Sequence, residues 1–303
     1  MPWGGPAMCG SLPRAFRAGC VARTAFVILV TLRDGNVSGT DGIGVWWSLT
    51  KAVIAALALR HLDLDAEVDW PGRPTVREVL RHEGGVPDYG ARPDYRAAVA
   101  AGDVPWPPEE MLARTRGSLF APGTGWAYSN VGYLLVRRML ERRAPLAELV
   151  RDEMDGLGLH GTALAQTRAD LAGAVGGDRP YDPGWVYHGT LVGPASEAVR
   201  WVHATATGPH GAAMAEGARV CGPLPGRPWA EGRYGFGTMC GPMEGVGRAW
   251  GHSGVGPSSV SACYHLPDAP GAPTVCAFDA PAPEAHPEAA VERAVRAAGL
   301  AGG

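Results

Sequence analysis

The stretch Trp46-Trp47-Ser48-Leu49-Thr50-Lys51-Ala52-Val53-Ile54-Ala55-Ala56-Leu57-Ala58-Leu59 constrains this chain more than any other. Beyond Lys51 it is apolar nearly all round, and a helix without a polar face reads as buried, so the rest of the chain has to cover it. Ser48 and Lys51, three residues apart, share one helix face. A serine hydroxyl attacks carbonyls poorly unless a basic group takes its proton. Lys51 is placed to be that group, because burial disfavours its ammonium form and leaves it basic near neutrality. At the start of the helix Ser48 also meets unpaired N–H groups and the positive end of the dipole, which favour a developing oxyanion. Taken alone, the pair equally reads as a serine cap and a snorkelling lysine.

The 303 residues suffice for one large domain or two, with a substantial core. Net charge is −3 with both signs interspersed, and no block of lysine or arginine marks a nucleic-acid surface. No spacing among Cys9, Cys20, Cys221, Cys240, Cys263 and Cys276 resembles a zinc site, so neither metal nor cofactor is expected. In a chain of this length these cysteines read as buried free thiols rather than a disulfide framework. The apolar run Thr24–Leu32 follows three arginines, as a signal core would, but it lacks an A-x-A site and closes on Asp34-Gly35, a hairpin signal. It is far too short to span a bilayer and is read as a strand, and the protein as cytoplasmic.

A short helix is expected at 12–23, then the strand, then a Gly-rich connection to the Ser48 helix, which ends near His61. Thr75 caps a helix over 76–82 that stops at Gly84-Gly85. Further helices are expected near 109–114, 131–143 and 197–205, strands at 248–254, 260–266 and 274–279, and a terminal amphipathic helix at 287–298. Strands at both ends and helices between imply a sheet-containing domain of residues 1–62 and 231–303, with a mostly helical inserted region at 63–230.

Two more motifs lift the serine–lysine pair above chance. One is Tyr128-Ser129-Asn130, and the other is His252-Ser253-Gly254 on a late strand. With them the chain resembles the serine β-lactamase and penicillin-binding-protein superfamily, in its class C β-lactamase-like branch of DD-peptidases, esterases and transacylases. Leu80-Arg81-His82-Glu83-Gly84-Gly85-Val86-Pro87-Asp88-Tyr89 is similar to that branch's L-L-x-H-x-S-G-[LI]-P-D-Y segment, and Tyr234-Gly235-Phe236-Gly237 to its Y-G-[LF]-G strand. The resemblance runs from about residue 24 to the C-terminus. It implies an α+β fold, an α/β sandwich whose antiparallel sheet is flanked by helices.

It also implies roles. Ser48 is the nucleophile, Lys51 and Tyr128 share its proton, and Asn130 orients the substrate and Lys51. The N–H groups of Ser48 and Val255 form the oxyanion hole, and His252, Ser253 and Gly254 bind substrate along the strand. The chain departs from the pattern in three places: only 12 residues separate Gly35 from Ser48, Trp47 stands where glycine is usual, and His252 replaces the lysine of true β-lactamases. A protonated His252 would grip a substrate anion, weakly and in a pH-dependent way. Trp46, Trp47, Trp126 and Trp250 lie beside the motifs and read either as an aromatic pocket wall or as interface filling. The expectation is a serine hydrolase acting on a small-molecule ester or amide. One alternative is an acyltransferase or transacylase with an amine or alcohol acceptor, and another is an inactive binding module of the same fold.

Overall fold

The computed structural model describes residues 28–177, 179–221, 224, 226–280 and 286–297. The helix expected at 12–23, the start of the first strand at 24–27, Cys9, Cys20 and the end of the terminal helix at Ala298 lie outside them.

β1 (Ile28–Arg33) and β2 (Asn36–Thr40) form a hairpin with Arg33 opposite Asn36. Asp34 and Gly35 both take left-handed backbone, φ 50° and 76°, as a tight two-residue turn requires. The interval expected as a Gly-rich connection is therefore β2 followed by β3 (Ile43–Val45), whose glycines weaken the strand signal. β3 delivers the chain to Trp46 and to α1 (Thr50–His61), which buries every residue from Thr50 to Ala58. The all-round burial expected of that stretch is what the fold provides.

α2 (Val76–Leu80) starts at a Thr75–Glu78 capping box and stops two residues before the expected His82, because His82 itself turns left-handed at φ 62°. Then follow α3 (Pro93–Ala101), α4 (Pro108–Thr115), α5 (Asn130–Leu140) and α6 (Leu146–Asp155). β4 (Ala163–Leu164) and β5 (Leu191–Pro194) join β3 in a small antiparallel sheet of order β3-β5-β4. α7 (Ala195–Thr207) and α8 (Pro209–Ala215) lead to β6 (Arg219–Val220), β7 (Arg233–Tyr234), β8 (Met239–Met243), β9 (Gly247–Val255), β10 (Val260–His265), β11 (Thr274–Asp279) and α9 (Ala289–Ala297).

The large sheet is antiparallel, in the order β2-β1-β11-β10-β9-β8-β7-β6. Both faces are covered. On β11, Cys276 and Phe278 face the core shared with α1 and α7, while Val275 faces Val291 and Val295 of α9. The result is the expected α+β architecture, an antiparallel sheet between helical layers. We propose the division at residues 62 and 231 as its domain organisation. Within the interval 63–230, however, α7 packs on β1, β10 and β11, and β6 pairs with β7 in the sheet.

Candidate active site

Ser48 does not cap a helix. It lies in a 3₁₀ turn, Trp47–Leu49, that precedes α1, and no side chain caps that turn. Trp47 holds φ 46°, a left-handed conformation that a bulky residue adopts only when its surroundings enforce it. That accounts for the glycine usual at this place. Here the indole compensates, since its Nε1 donates to Ser259 Oγ at 2.9 Å and its ring stands edge-on to Tyr181 at 5.5 Å. Trp46 is anchored as well. Its carbonyl accepts from Ser261 Oγ at 2.8 Å, and its ring packs against Trp201 of α7.

From this turn Ser48 Oγ projects, partly exposed, between two groups. The Lys51 amine is 3.1 Å away, and the Tyr128 hydroxyl donates to Oγ at 2.9 Å. Lys51 is wholly buried, and burial holds its pKa well below the ordinary 10.5 against the opposing pull of Asp88. Burial pushes the Tyr128 phenol above its usual range, with the Ser48 hydrogen bond opposing, so Tyr128 keeps its proton near neutrality. Lys51 also donates to Asn130 Oδ1 at 2.7 Å.

The segment 80–89 holds this arrangement from behind. The Ser129 hydroxyl accepts from Gly132 N, capping α5, and donates to the Pro87 carbonyl at 3.0 Å. The Asp88 carboxylate accepts from the Asn130 backbone at 2.8 Å and its side-chain amide at 3.4 Å, which turns Oδ1 toward Lys51. The His82 ring lies 4.4 Å from that of Tyr128 and 4.5 Å from that of Tyr234, and its Nδ1 accepts from Ser129 N.

β9 closes the other side. Ser48, Tyr128, Asn130, His252, Ser253 and Val255 line one cavity of about 190 Å³, together with Trp126, Leu224, Arg227, Tyr234, Met239 and Pro287. Gly254 lies against the nucleophile turn. A Cβ there would stand 2.6 Å from Trp47 Cβ and 2.7 Å from the Trp46 carbonyl, so only glycine lets the strand approach. The Ser253 hydroxyl is engaged by Glu288 at 2.8 Å and Tyr264 at 2.7 Å.

One expectation is corrected here. His252 is buried, its Nδ1 faces the Ser253 carbonyl, and its Nε2 is 3.0 Å from the Tyr234 hydroxyl. Burial first, then the Lys51 charge, push its pKa down to about 3. It is neutral around pH 7 and does not supply the positive charge expected for a substrate anion. The guanidinium on this cavity belongs to Arg227, which is ion-paired with the fully buried Glu288. Of the four tryptophans near the motifs, only Trp126 lines the cavity. Trp46, Trp47 and Trp250 are core residues.

Sequence reasoning missed His188, Arg227 and Glu288. His188 Nε2 lies 3.1 Å from the Lys51 amine, 137 positions away in sequence. It sits in a stretch with no periodicity or spacing to single it out, as does Arg227, while Glu288 falls within the helix expected at 287–298 but lies in the turn just before α9. Among the described residues no cluster of His, Cys, Asp and Glu could hold a metal, and no helix is long and apolar enough to cross a membrane.

An antiparallel sheet between helical layers, with a serine in hydrogen-bond reach of a lysine and a tyrosine beside its strand β9, defines a β-lactamase/transpeptidase-like protein. Three solved structures share the fold. A D-stereospecific amidohydrolase from Streptomyces sp. superposes with TM-score 0.74 at 20% identity, covering 88% of this chain and 92% of that one. The D-amino acid amidase from Ochrobactrum anthropi SV3, complexed with L-phenylalanine amide, gives 0.72 at 20% identity over 90% and 93% of the two chains. The octameric penicillin-binding protein homologue from Pyrococcus abyssi gives 0.71 at 19% identity over 91% and 74%. No curated protein matches the sequence. The beta-lactamase family model matches residues 36–297, and the chain belongs to that family.

Proposed function

We propose that the protein is an active-site serine hydrolase that cleaves a small ester or amide through an acyl-enzyme on Ser48. The observation that carries this is the single hydroxyl held between a buried, depressed lysine and a protonated tyrosine at the floor of a cavity. Lys51 takes the Ser48 proton as Oγ adds to the carbonyl carbon, and the N–H groups of Ser48 and Val255 receive the oxyanion. Each such donor is worth about 10²–10³ in rate. Tyr128 passes a proton to the leaving group, and the proton gained by Lys51 restores it. Water then repeats the addition and releases the acid. The amidohydrolase and amidase among the structural neighbours lend weight to an amide of an amino acid as substrate. Transfer to an amine would use the same acyl-enzyme, and a cytoplasmic location belongs to the proposal. An inactive binding module has less support, since lysine and tyrosine are both within hydrogen-bond distance of the one serine hydroxyl.

The test is intact-mass analysis with a panel of activated esters, D- and L-amino acid amides and a β-lactam, followed by product analysis with and without added amine. Wild type should gain one acyl mass. Ser48→Ala should gain none and lose on the order of 10⁶ in turnover, as other serine nucleophiles do. Undiminished turnover in folded Ser48→Ala would sink the mechanism.

A further inference from the structure

His188 belongs to none of the motifs above, yet among the described residues it is one of three side chains within hydrogen-bond distance of the Lys51 amine. The others are Ser48 Oγ at 3.1 Å and Asn130 Oδ1 at 2.7 Å, with His188 Nε2 at 3.1 Å. A neutral amine has two hydrogens and one lone pair. Asn130 Oδ1 takes one hydrogen, and its orientation is set because its amide nitrogen faces Asp88. If His188 Nε2 takes the other hydrogen, the lone pair is left for the Ser48 hydroxyl. If nothing took it, the amine would be free to rotate and the lone pair would lose its aim.

The loop that carries His188 is tied to the nucleophile turn at two points. Trp46 N donates to the Leu191 carbonyl at 2.9 Å, and Leu191 N donates to Thr50 Oγ1 at 2.9 Å. His188 is 2% exposed, and among the described residues its Nδ1 has no hydrogen-bond partner. Lys51 is the polar group it is built to meet.

We propose that His188 positions the general base: carrying its hydrogen on Nδ1, it accepts one Lys51 N–H through Nε2 and so aims the amine's lone pair at Ser48. This rests on the reading of Ser48 as nucleophile and Lys51 as its base. When Lys51 takes the Ser48 proton and Oγ bonds to the carbonyl carbon, the carbonyl π pair moves to oxygen. The new ammonium has three hydrogens for Ser48 Oγ, Asn130 and His188. All three partners keep their hydrogen bond to the amine before and after transfer, and His188 exchanges no proton. Burial holds His188 neutral, and the Arg137 guanidinium acts the same way. Around Lys51 the remaining groups are Asp88, which favours the ammonium, and the rings of Tyr128 and Tyr133, 4.9 and 5.6 Å from the amine.

The test compares acylation by a p-nitrophenyl ester against pH in wild type, His188→Gln, His188→Leu and His188→Asn, with Ser48→Ala as control. Glutamine places an acceptor where Nε2 was, leucine fills the space without one, and asparagine is polar but too short. His188→Gln should keep most of the wild-type rate. Leucine and asparagine should each lose about tenfold to a hundredfold, the cost of a misaimed group. In both, the acid limb should move to lower pH, because the ammonium loses a charge-assisted acceptor. If the leucine variant does not fold, asparagine against glutamine decides. Equal rates and one common acid limb across the variants, with Ser48→Ala inert, would overturn the role of His188 alone. So would a uniform loss with an unmoved limb, which is the mark of packing. Wild-type reactivity in Ser48→Ala would overturn the underlying mechanism whatever the histidine variants do.

Discussion

At the scale of residues, burial sets the charge of the lysine and histidines around Ser48. Lys51, His82, His188 and His252 are all buried, and all are held toward their neutral forms. For His252 this has a consequence for stability. Its pKa falls from 6.5 in the unfolded chain to about 3 in the folded one, so between those values only the unfolded chain binds the proton. Stability should therefore rise with pH across that window and be lost as pH falls below 6.5, at up to about 1.4 kcal/mol per pH unit for this one group. His252→Gln, which keeps an acceptor for Tyr234, should make the acid-side slope shallower by one proton. Urea midpoints between about pH 4 and 7 measure it, and identical slopes would mean that His252 is not held neutral. The His252-Ser253-Gly254 motif was legible in the sequence, but the charge state of its histidine was not. That state depends on what buries the ring, and Tyr234 and Lys51 come from distant parts of the chain.

At the scale of elements, the contact between β9 and the nucleophile turn sets the geometry. Trp47 accepts a strained backbone because Ser259 and Tyr181 hold its indole, and Gly254 lets the strand come close enough for Val255 to border the cavity. Gly254→Ala should force the two apart. The expected cost is about 1–3 kcal/mol, typical of overpacking, together with slower acylation of Ser48. Chemical denaturation and adduct formation by mass would read the two effects. A variant unchanged in both would show that the strand has room to move. The helices α1, α2, α4, α5, α7 and α9 and the strands β9, β10 and β11 were readable to within a few residues, whereas α3, α6 and α8 were not singled out. Nor were β2 and β3, because strands of glycine and polar residues draw their stability from the neighbours they pair with.

At the scale of the molecule, the C-terminal helix is tied to the cavity through one buried ion pair. Glu288, just before α9, binds Arg227 on the cavity wall and also accepts from Ser253 of β9 and Trp229. Burial alone would raise its pKa, but Arg227, His286 and Ser253 outweigh this and hold it well below the usual carboxylate range. Glu288→Gln removes one charge of the pair and should destabilise the protein by about 3 kcal/mol, the lower end for such pairs because Arg227 is partly exposed. Urea unfolding checks the loss, and a variant as stable as wild type would mean that the pair contributes specificity rather than stability.

Resemblance to a family marked Tyr128 and Asn130; the sequence by itself determined the buried apolar helix that carries Lys51, with Ser48 just ahead of it, and the late strands β9, β10 and β11. These features are local, since side-chain periodicity and short spacings follow from backbone geometry alone. Only the tertiary structure decided that Trp46, Trp47 and Trp250 fill the core while Trp126 lines the cavity, that His252 is neutral, and that His188 meets the Lys51 amine. Each of those outcomes depends on groups far apart in the chain being brought within a few ångströms of one another. Burial and hydrogen-bond partnership are properties of that approach, and no pattern along the sequence encodes them.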